Sequence, residues 1–175
     1  MPTGTLPSSG RLALSSFRAE RAAVPRFATF REVRHAAADM FGLVADVEAY
    51  PAFVPLCRAM AVEARTTEGP REVLLARMTV AYGPVAESYT SRIVLDRPAL
   101  AIDVGAIDGP FRRLDNSWRF TPTGERSCAV RFEIDYEFRS RTLGLLFGAA
   151  FERAFRKLSE AFETRADSAY GRGGS

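Results

Sequence analysis

From Cys128 to Arg139 the chain alternates with a period of two. Cys128, Val130, Phe132, Ile134, Tyr136 and Phe138 fall on one side, and Ala129, Arg131, Glu133, Asp135, Glu137 and Arg139 on the other. Successive side chains of a strand point to opposite faces, so this segment needs a cover for one face and water for the other. A cover follows directly. Phe147, Phe151, Phe155, Leu158 and Phe162 recur at spacings of three and four. Ala150, Ala154 and Ala161 stand beside them, and Arg153, Arg156, Glu160 and Glu163 lie mostly elsewhere. This predicts a helix over residues 142–166. About 25 residues at ~1.5 Å each give roughly 37 Å, enough to cross a whole domain. A sheet wet on one side and closed on the other by a long terminal helix is an α+β arrangement.

The period of two extends back toward residue 57. Leu74, Ala76, Met78, Val80 and Tyr82 alternate in one strand, and Val85, Tyr89, Ile93 and Leu95 in the next, with Gly83-Pro84 as the turn. Leu100, Ile102, Val104 and Ala106 make another, ended by Asp108-Gly109-Pro110, and Leu114, Trp118 and Phe120 mark one more before the turn signal Thr121-Pro122-Thr123-Gly124. Short strands joined by tight turns predict an antiparallel meander. Ahead of it, residues 27–34, with Phe30 and Val33, read as a first strand. Residues 37–47 read as a helix whose apolar face is Met40, Phe41, Val44 and Val47, with Asp39 in its first turn, where the helix dipole favours a carboxylate. In Tyr50-Pro51-Ala52-Phe53-Val54-Pro55 the two prolines forbid a long helix and permit a single turn between them.

The length of 175 residues fits one domain with a tail. Residues 1–25, rich in Pro, Gly, Ser and Arg with weak periodicity, read as a disordered N-terminal tail. Their Arg/Ser bias resembles a mitochondrial presequence superficially; a loose tail or a misplaced start codon is the plainer reading. Residues 26–170 form the folded domain and the Gly-rich residues 171–175 a flexible end. No apolar run approaches the ~18 residues of a membrane-spanning helix. The net charge of +3 is a mild bias, too small for a nucleic-acid footprint, so DNA is not an expected partner. Cys57 and Cys128 are too far apart for a metal knuckle and read as buried or idle thiols of a reducing compartment.

A search for catalytic chemistry finds little. His35 is the single histidine, which rules out a two-His zinc site, and its place between a strand and a helix suggests a solvated or capping residue. No Gly-rich phosphate loop and no nucleophile elbow occurs. Glu87 lies mid-strand among apolar neighbours; a salt bridge to Arg77 or Arg92 is the expectation, with acid–base work the alternative. No catalytic residue, catalytic cofactor or metal is therefore expected. What stands out is aromatic content: 13 Phe, 5 Tyr and 1 Trp. Most must pack a core. A strongly twisted sheet, however, cannot lie flat along one straight helix, and the space between is either filled or left for a ligand. Ala149, Ala150 and Ala154 could leave such room.

The order strand, helix, short turn, antiparallel strands and long terminal helix resembles the START-like helix-grip superfamily, in which a curved antiparallel sheet wraps a C-terminal helix. Within it the chain is similar to the coenzyme Q-binding proteins and their bacterial relatives, the ribosome association toxins (RatA). The resemblance rests on Phe41-x-x-Val44-x-Asp46-Val47-Glu48-x-Tyr50-Pro51-x-Phe53-Val54-Pro55-x-Cys57 and on Gly109-Pro110-Phe111-x-x-Leu114-x-x-x-Trp118-x-Phe120. It also rests on Val130-x-Phe132-x-Ile134-x-Tyr136-x-Phe138 and Ala161-Phe162-x-x-Arg165-Ala166. One departure is Leu56, where the family often has Trp.

The resemblance implies non-catalytic binding of ubiquinone or a similar isoprenoid lipid, by a carrier or chaperone that supports respiratory electron transport. It implies transient contact with a membrane surface. The location implied is cytoplasmic, peripheral on the inner face of the cytoplasmic membrane, or the matrix side of the mitochondrial inner membrane in a eukaryote. The expected lining residues are Phe53, Met78, Tyr89, Trp118, Phe147, Phe151 and Phe155, with ordinary core packing the competing assignment for each. The turn at Tyr50 to Pro55 is the candidate lid or mouth, a packed connection being its alternative. Two other functions stay open. One is a RatA-like regulator that binds the ribosome and affects subunit association. The other is a cyclase-like enzyme, which would need a group such as Glu87 or Arg77 aimed inward.

Overall fold

The computed structural model describes residues 26–171. The expected tail, and all of the expected flexible end but Gly171, lie outside the described residues. The elements run β1 (Arg26–Val33), α1 (Ala37–Ala45), a short 3-10 helix (Val47–Ala52), β2 (Cys57–Glu68), β3 (Arg71–Tyr82), β4 (Val85–Asp96), β5 (Ala101–Ala106), β6 (Phe111–Gly124), β7 (Ser127–Phe138) and α2 (Arg141–Tyr170). The strands form one seven-stranded sheet in the order β1-β7-β6-β5-β4-β3-β2. The expected meander is its body, every pair is antiparallel, and β1 returns to the far edge with Phe27 opposite Ile134 and Val33 opposite Cys128. This curved sheet closed by a long terminal helix is the α+β helix-grip arrangement expected of the chain.

Register carries the apolar residues into rows across the sheet. Trp118 stands opposite Ile102 on one side and Phe132 on the other, all three buried. Asn116 stands opposite Val104 and Ile134 in the next row. The edge strand β2 is the element that alternation leaves least distinct. Most of its residues are exposed and its ladder shifts register twice. Bulges and charge of this kind keep an edge from pairing with another chain. In β1 the inward side is Phe27 and Val33, whereas Phe30 faces solvent.

α1 turns Ala37, Met40, Phe41 and Val44 inward, and Phe41 meets the Phe120 ring edge-on at 6.0 Å. It stops at Ala45, two residues short of the periodic signal, because the backbone tightens there. Val47 is buried from the 3-10 helix instead. That single helical turn runs through Pro51 and ends before Phe53; it precedes the second proline rather than filling the space between the two.

α2 starts one residue before the expected helix, where the Ser140 hydroxyl accepts a hydrogen bond from the Leu143 amide at 3.4 Å. It also runs on to Tyr170, past the expected end at residue 166. Tertiary contacts hold the extra turn. The Thr29 and Ser159 hydroxyls meet at 3.0 Å, Arg31 donates to Glu163 at 2.8 Å, and His35 Nε2 meets Asp167 Oδ1 at 2.7 Å. Ser159, Glu163 and Asp167 are spaced by one helical turn, so β1 and the residues after it fasten one stripe of the helix. Tyr170 then lays its ring 6.5 Å from that of His35. His35 is consequently not solvated: it is 4% exposed and serves as a buried polar tie.

Candidate functional site

The fit between the twisted sheet and the straight helix is incomplete. A cavity of about 120 Å³ lies between them. At liquid density this is room for roughly four waters. Val80, Tyr89, Ser91 and Ile93 face it from β3 and β4, Ile102, Val104, Asn116 and Trp118 from β5 and β6, and Phe132 and Ile134 from β7. Ala154, Phe155 and Leu158 of α2 form the opposite wall. Val54, Pro55, Leu56, Met60 and Met78 are half-buried lining residues, as are Val104, Asn116, Ala154, Phe155 and Leu158. No lining residue carries a charge.

Of the side chains expected to meet a ligand, Met78, Tyr89, Trp118, Phe151 and Phe155 lie in this wall. Phe147 does not. It is 1% exposed and packs on Phe138 and Phe151 at ring separations of 6.2 and 5.8 Å, below the end of the cavity. Phe53 is displaced outward. Its ring meets Phe162 at 5.1 Å and Tyr50 at 6.0 Å, the Arg165 guanidinium sits 5.6 Å above it, and it borders a separate shallow surface depression with Lys157 and Thr164. Among the small residues, Ala154 borders the open space, Ala150 is buried in packing and Ala149 is exposed. Tyr50, Val54 and Pro55 of the expected lid do line the cavity. Beside them Leu56 takes φ +65, a left-handed conformation costly for a branched side chain, and its carbonyl accepts from the Ala81 amide at 3.0 Å.

Polar groups in the wall fall into two kinds. The Tyr89 hydroxyl donates to Met78 Sδ at 3.2 Å, and the Tyr50 hydroxyl donates to the Val44 carbonyl. Burial raises the pKa of both phenols far above the usual range, with Cys57 adding to the effect in each, so both stay protonated. Ser91 Oγ and Asn116 Oδ1 are buried and have no hydrogen-bond partner. These two were missed in the sequence, though a signal was there. Ser91 shares the inward parity of Tyr89 and Ile93, and Asn116 that of Leu114 and Trp118, so each is a polar residue at an apolar position.

The groups considered for catalysis lie elsewhere. Neither Glu87 nor Arg77 lines the cavity. The expected salt bridge of Glu87 does not form: Arg92 pairs with Glu68 at 2.7 Å, and Arg77 donates to the Thr90 hydroxyl at 3.4 Å. Arg92 belongs to the outer face of its strand and Glu87 to the inner, so alternation itself separates them. Cys57 and Cys128 are buried free thiols, each pushed by burial up to about 11. No helix among the described residues is long and apolar enough to cross a membrane.

The loop between β5 and β6 completes the wall behind Tyr89. Asp108 accepts a hydrogen bond from the Thr90 amide, which holds its carboxyl below the usual range. Gly109 has φ +92, and a Cβ there would sit 2.4 Å from Tyr89 Cβ. Only glycine permits that approach.

Comparison with known proteins places these features in context. The model of the family described as polyketide cyclase/dehydrase and lipid transport matches residues 33–163. The ribosome association toxin RatA of Escherichia coli K12 is 30% identical over 147 residues, 84% of this chain and 90% of the toxin. The mitochondrial coenzyme Q-binding protein COQ10 homolog B of Xenopus laevis is 31% identical over 137 residues, 76% of this chain and 54% of that protein. A START superfamily protein from Mycobacterium smegmatis superposes with a TM-score of 0.68 at 21% identity, covering 82% of this chain and 97% of its own. That likeness bears on the fold alone.

Proposed function

The chain belongs to the polyketide cyclase/dehydrase and lipid transport family, and from that membership and the cavity we propose that it binds ubiquinone or a similar polyisoprenoid quinone without transforming it. It would serve as a carrier or chaperone for respiratory electron transport, exchanging its ligand at a membrane surface. The observation that carries this reading is the uncharged, aromatic-rich cavity beneath α2. Each buried CH₂ of a prenyl chain contributes roughly 0.8 kcal/mol, so an apolar channel can hold such a molecule with few polar contacts. A fatty acid or phospholipid entering head-first would bring a charge into a wall with none to pair it, at a cost of several kcal/mol. The relative named for coenzyme Q binding supports the same ligand class. The absence of a carboxylate, histidine or arginine from the lining supports binding over cyclase-like chemistry.

The cavity volume of about 120 Å³ also says how the ligand sits. Sites for drug-sized molecules usually enclose ~300–1,000 Å³. The space therefore takes the leading portion of a ligand, and the remaining tail lies in the mouth at Val54, Pro55 and Leu56 or displaces α2.

The test is direct. Lipid extracted from the purified full chain should contain a quinone by mass spectrometry, and added ubiquinone should quench Trp118, the one tryptophan, which stands in the cavity wall. Neither co-purified quinone nor quenching would end the proposal.

A second reading, contact with the ribosome, is favoured by the extent of the match to the ribosome association toxin. It would use the outer surface and leaves the cavity without a role. Sucrose gradients with added protein discriminate, because an unchanged ratio of subunits to monosomes removes it.

A further inference from the structure

Two polar atoms sit where a cavity otherwise greasy gives them nothing to bond. Ser91 is 3% exposed, and its hydroxyl and the Asn116 carbonyl oxygen are both buried without partners. A buried hydrogen-bonding group with no protein partner costs stability unless a molecule in the cavity meets it, and an alanine or leucine at either place carries no such requirement. Both side chains face the same space, from β4 and β6, on opposite flanks of β5. Ser91 pairs with Ala106 of β5, and Asn116 with Val104 of the same strand. The two thus stand diagonally across one strand, with the lining residue Val104 beside Asn116. With strands ~4.8 Å apart, their Cα atoms are separated by roughly 10–12 Å.

We infer that Ser91 and Asn116 are the polar anchor for the head of the ligand, which enters head-first and leaves its apolar tail toward Val54, Pro55 and Leu56. The inference rests on the proposed reading of the cavity as a prenyl-lipid site. It adds the orientation, the residues and the class of head. That head is uncharged, because no charged side chain lines the wall. It carries hydrogen-bonding oxygens at opposite ends of a compact body, because the anchors lie on opposite flanks. A quinone ring with carbonyls across it has this form. The Ser91 hydroxyl both donates and accepts, and a half-turn of the Asn116 amide presents either N–H or oxygen. The pair can therefore hold a quinone, whose oxygens only accept, and the quinol, whose hydroxyls also donate. Tyr89 and Tyr50 do not compete for the head, since their hydroxyls are already engaged.

The experiment compares two probes on the full chain: a short-chain ubiquinone with two isoprene units, and the matching isoprenoid hydrocarbon without the ring. Quinone binding is read from Trp118 emission and hydrocarbon binding by competition against it. Ser91→Ala and Asn116→Leu should each weaken the quinone roughly threefold to tenfold, the worth of one neutral hydrogen bond. Hydrocarbon affinity should stay unchanged. The ligand-free variants should melt at or above the parent temperature, which a structural role for either side chain does not permit. Equal effects on both probes, no effect on either, or a lower melting temperature of the empty variants would overturn the anchor while the cavity reading survives. Failure of the parent to bind either probe overturns the cavity reading, and the anchor falls with it. Infrared spectroscopy of the parent complex gives a check free of mutation. The carbonyl stretch of bound quinone should lie below its position in hexane, and an unshifted band contradicts the anchor.

Discussion

The substitution Ala154→Leu puts the cavity itself to the test. Ala154 is the small residue of α2 that borders the open space, between Phe151 and Phe155. Closed cavities in protein cores cost about 24 cal/mol per Å³, so 120 Å³ corresponds to at most about 3 kcal/mol of stabilisation left unmade. Leucine adds three carbons, worth at most about 2.4 kcal/mol if all are buried. Side-chain ordering and imperfect fit reduce this to about 1–2 kcal/mol. Helix propensity hardly changes, since Ala and Leu both rank high. For a domain of this size the gain appears as a melting temperature higher by about 2–8 °C. The same carbons occupy the ligand's place, so quenching of Trp118 by ubiquinone should weaken at least tenfold. Urea denaturation and quinone titration on one preparation measure both quantities. A variant that is less stable and still binds quinone like the parent refutes the reasoning, for then the space is neither empty nor used.

Three further outcomes are expected. Gly109→Ala should destabilise by about 2 kcal/mol or more in urea denaturation, because it forces an L side chain to φ +92 and its Cβ against Tyr89; a loss under ~0.5 kcal/mol would refute that contact. Trp118→Ala removes ring contacts with Phe132 at 4.4 Å and Phe162 at 5.2 Å and should cost about 3–5 kcal/mol. Mass spectrometry of lipid bound well below the lowered melting temperature should still show a loss of quinone greater than the unfolded fraction explains. Both thiols ionise ordinarily near 9.0 and here near 11, so their contribution to stability is complete below pH 9 and is lost as pH rises through about 11. Alkylation at pH 8 should leave the native thiols unmodified, and fast labelling by mass spectrometry would contradict their burial.

Much of the fold was legible because its signals are periodic. The alternation from Cys128 to Phe138 and the stripe from Phe147 to Phe162 survive as β7 and α2 with the expected inner faces. Element ends were not, since they depend on partners distant in sequence. The last turn of α2 exists because His35 reaches Asp167 and Tyr170, and no local pattern announces a contact across 132 residues. The site was legible in part for the same reason. Periodicity assigns a side chain to a face and says nothing of its depth along that face. Phe147, Phe151 and Phe155 look equivalent in the sequence, yet the first lies past the end of the open space. Phe53 is not in the wall because the 3-10 helix ends on it and seats its ring behind the lining residue Phe162, under Arg165. Ser91 and Asn116 sit at inward positions, where the period of two predicts apolar side chains and so masks a polar one.

The ladder of Ser159, Glu163 and Asp167 makes α2 a beam fastened at both ends. Directional bonds hold its far end to β1 and His35, the short link from β7 with the Arg139–Pro110 backbone hydrogen bond of 2.8 Å holds its near end, and the span between them rests on ring contacts. That span, from Arg141 to Ser159, is about 27 Å at ~1.5 Å per residue. A beam of this kind bows most at mid-span, and that is where Phe151, Ala154 and Phe155 border the open space.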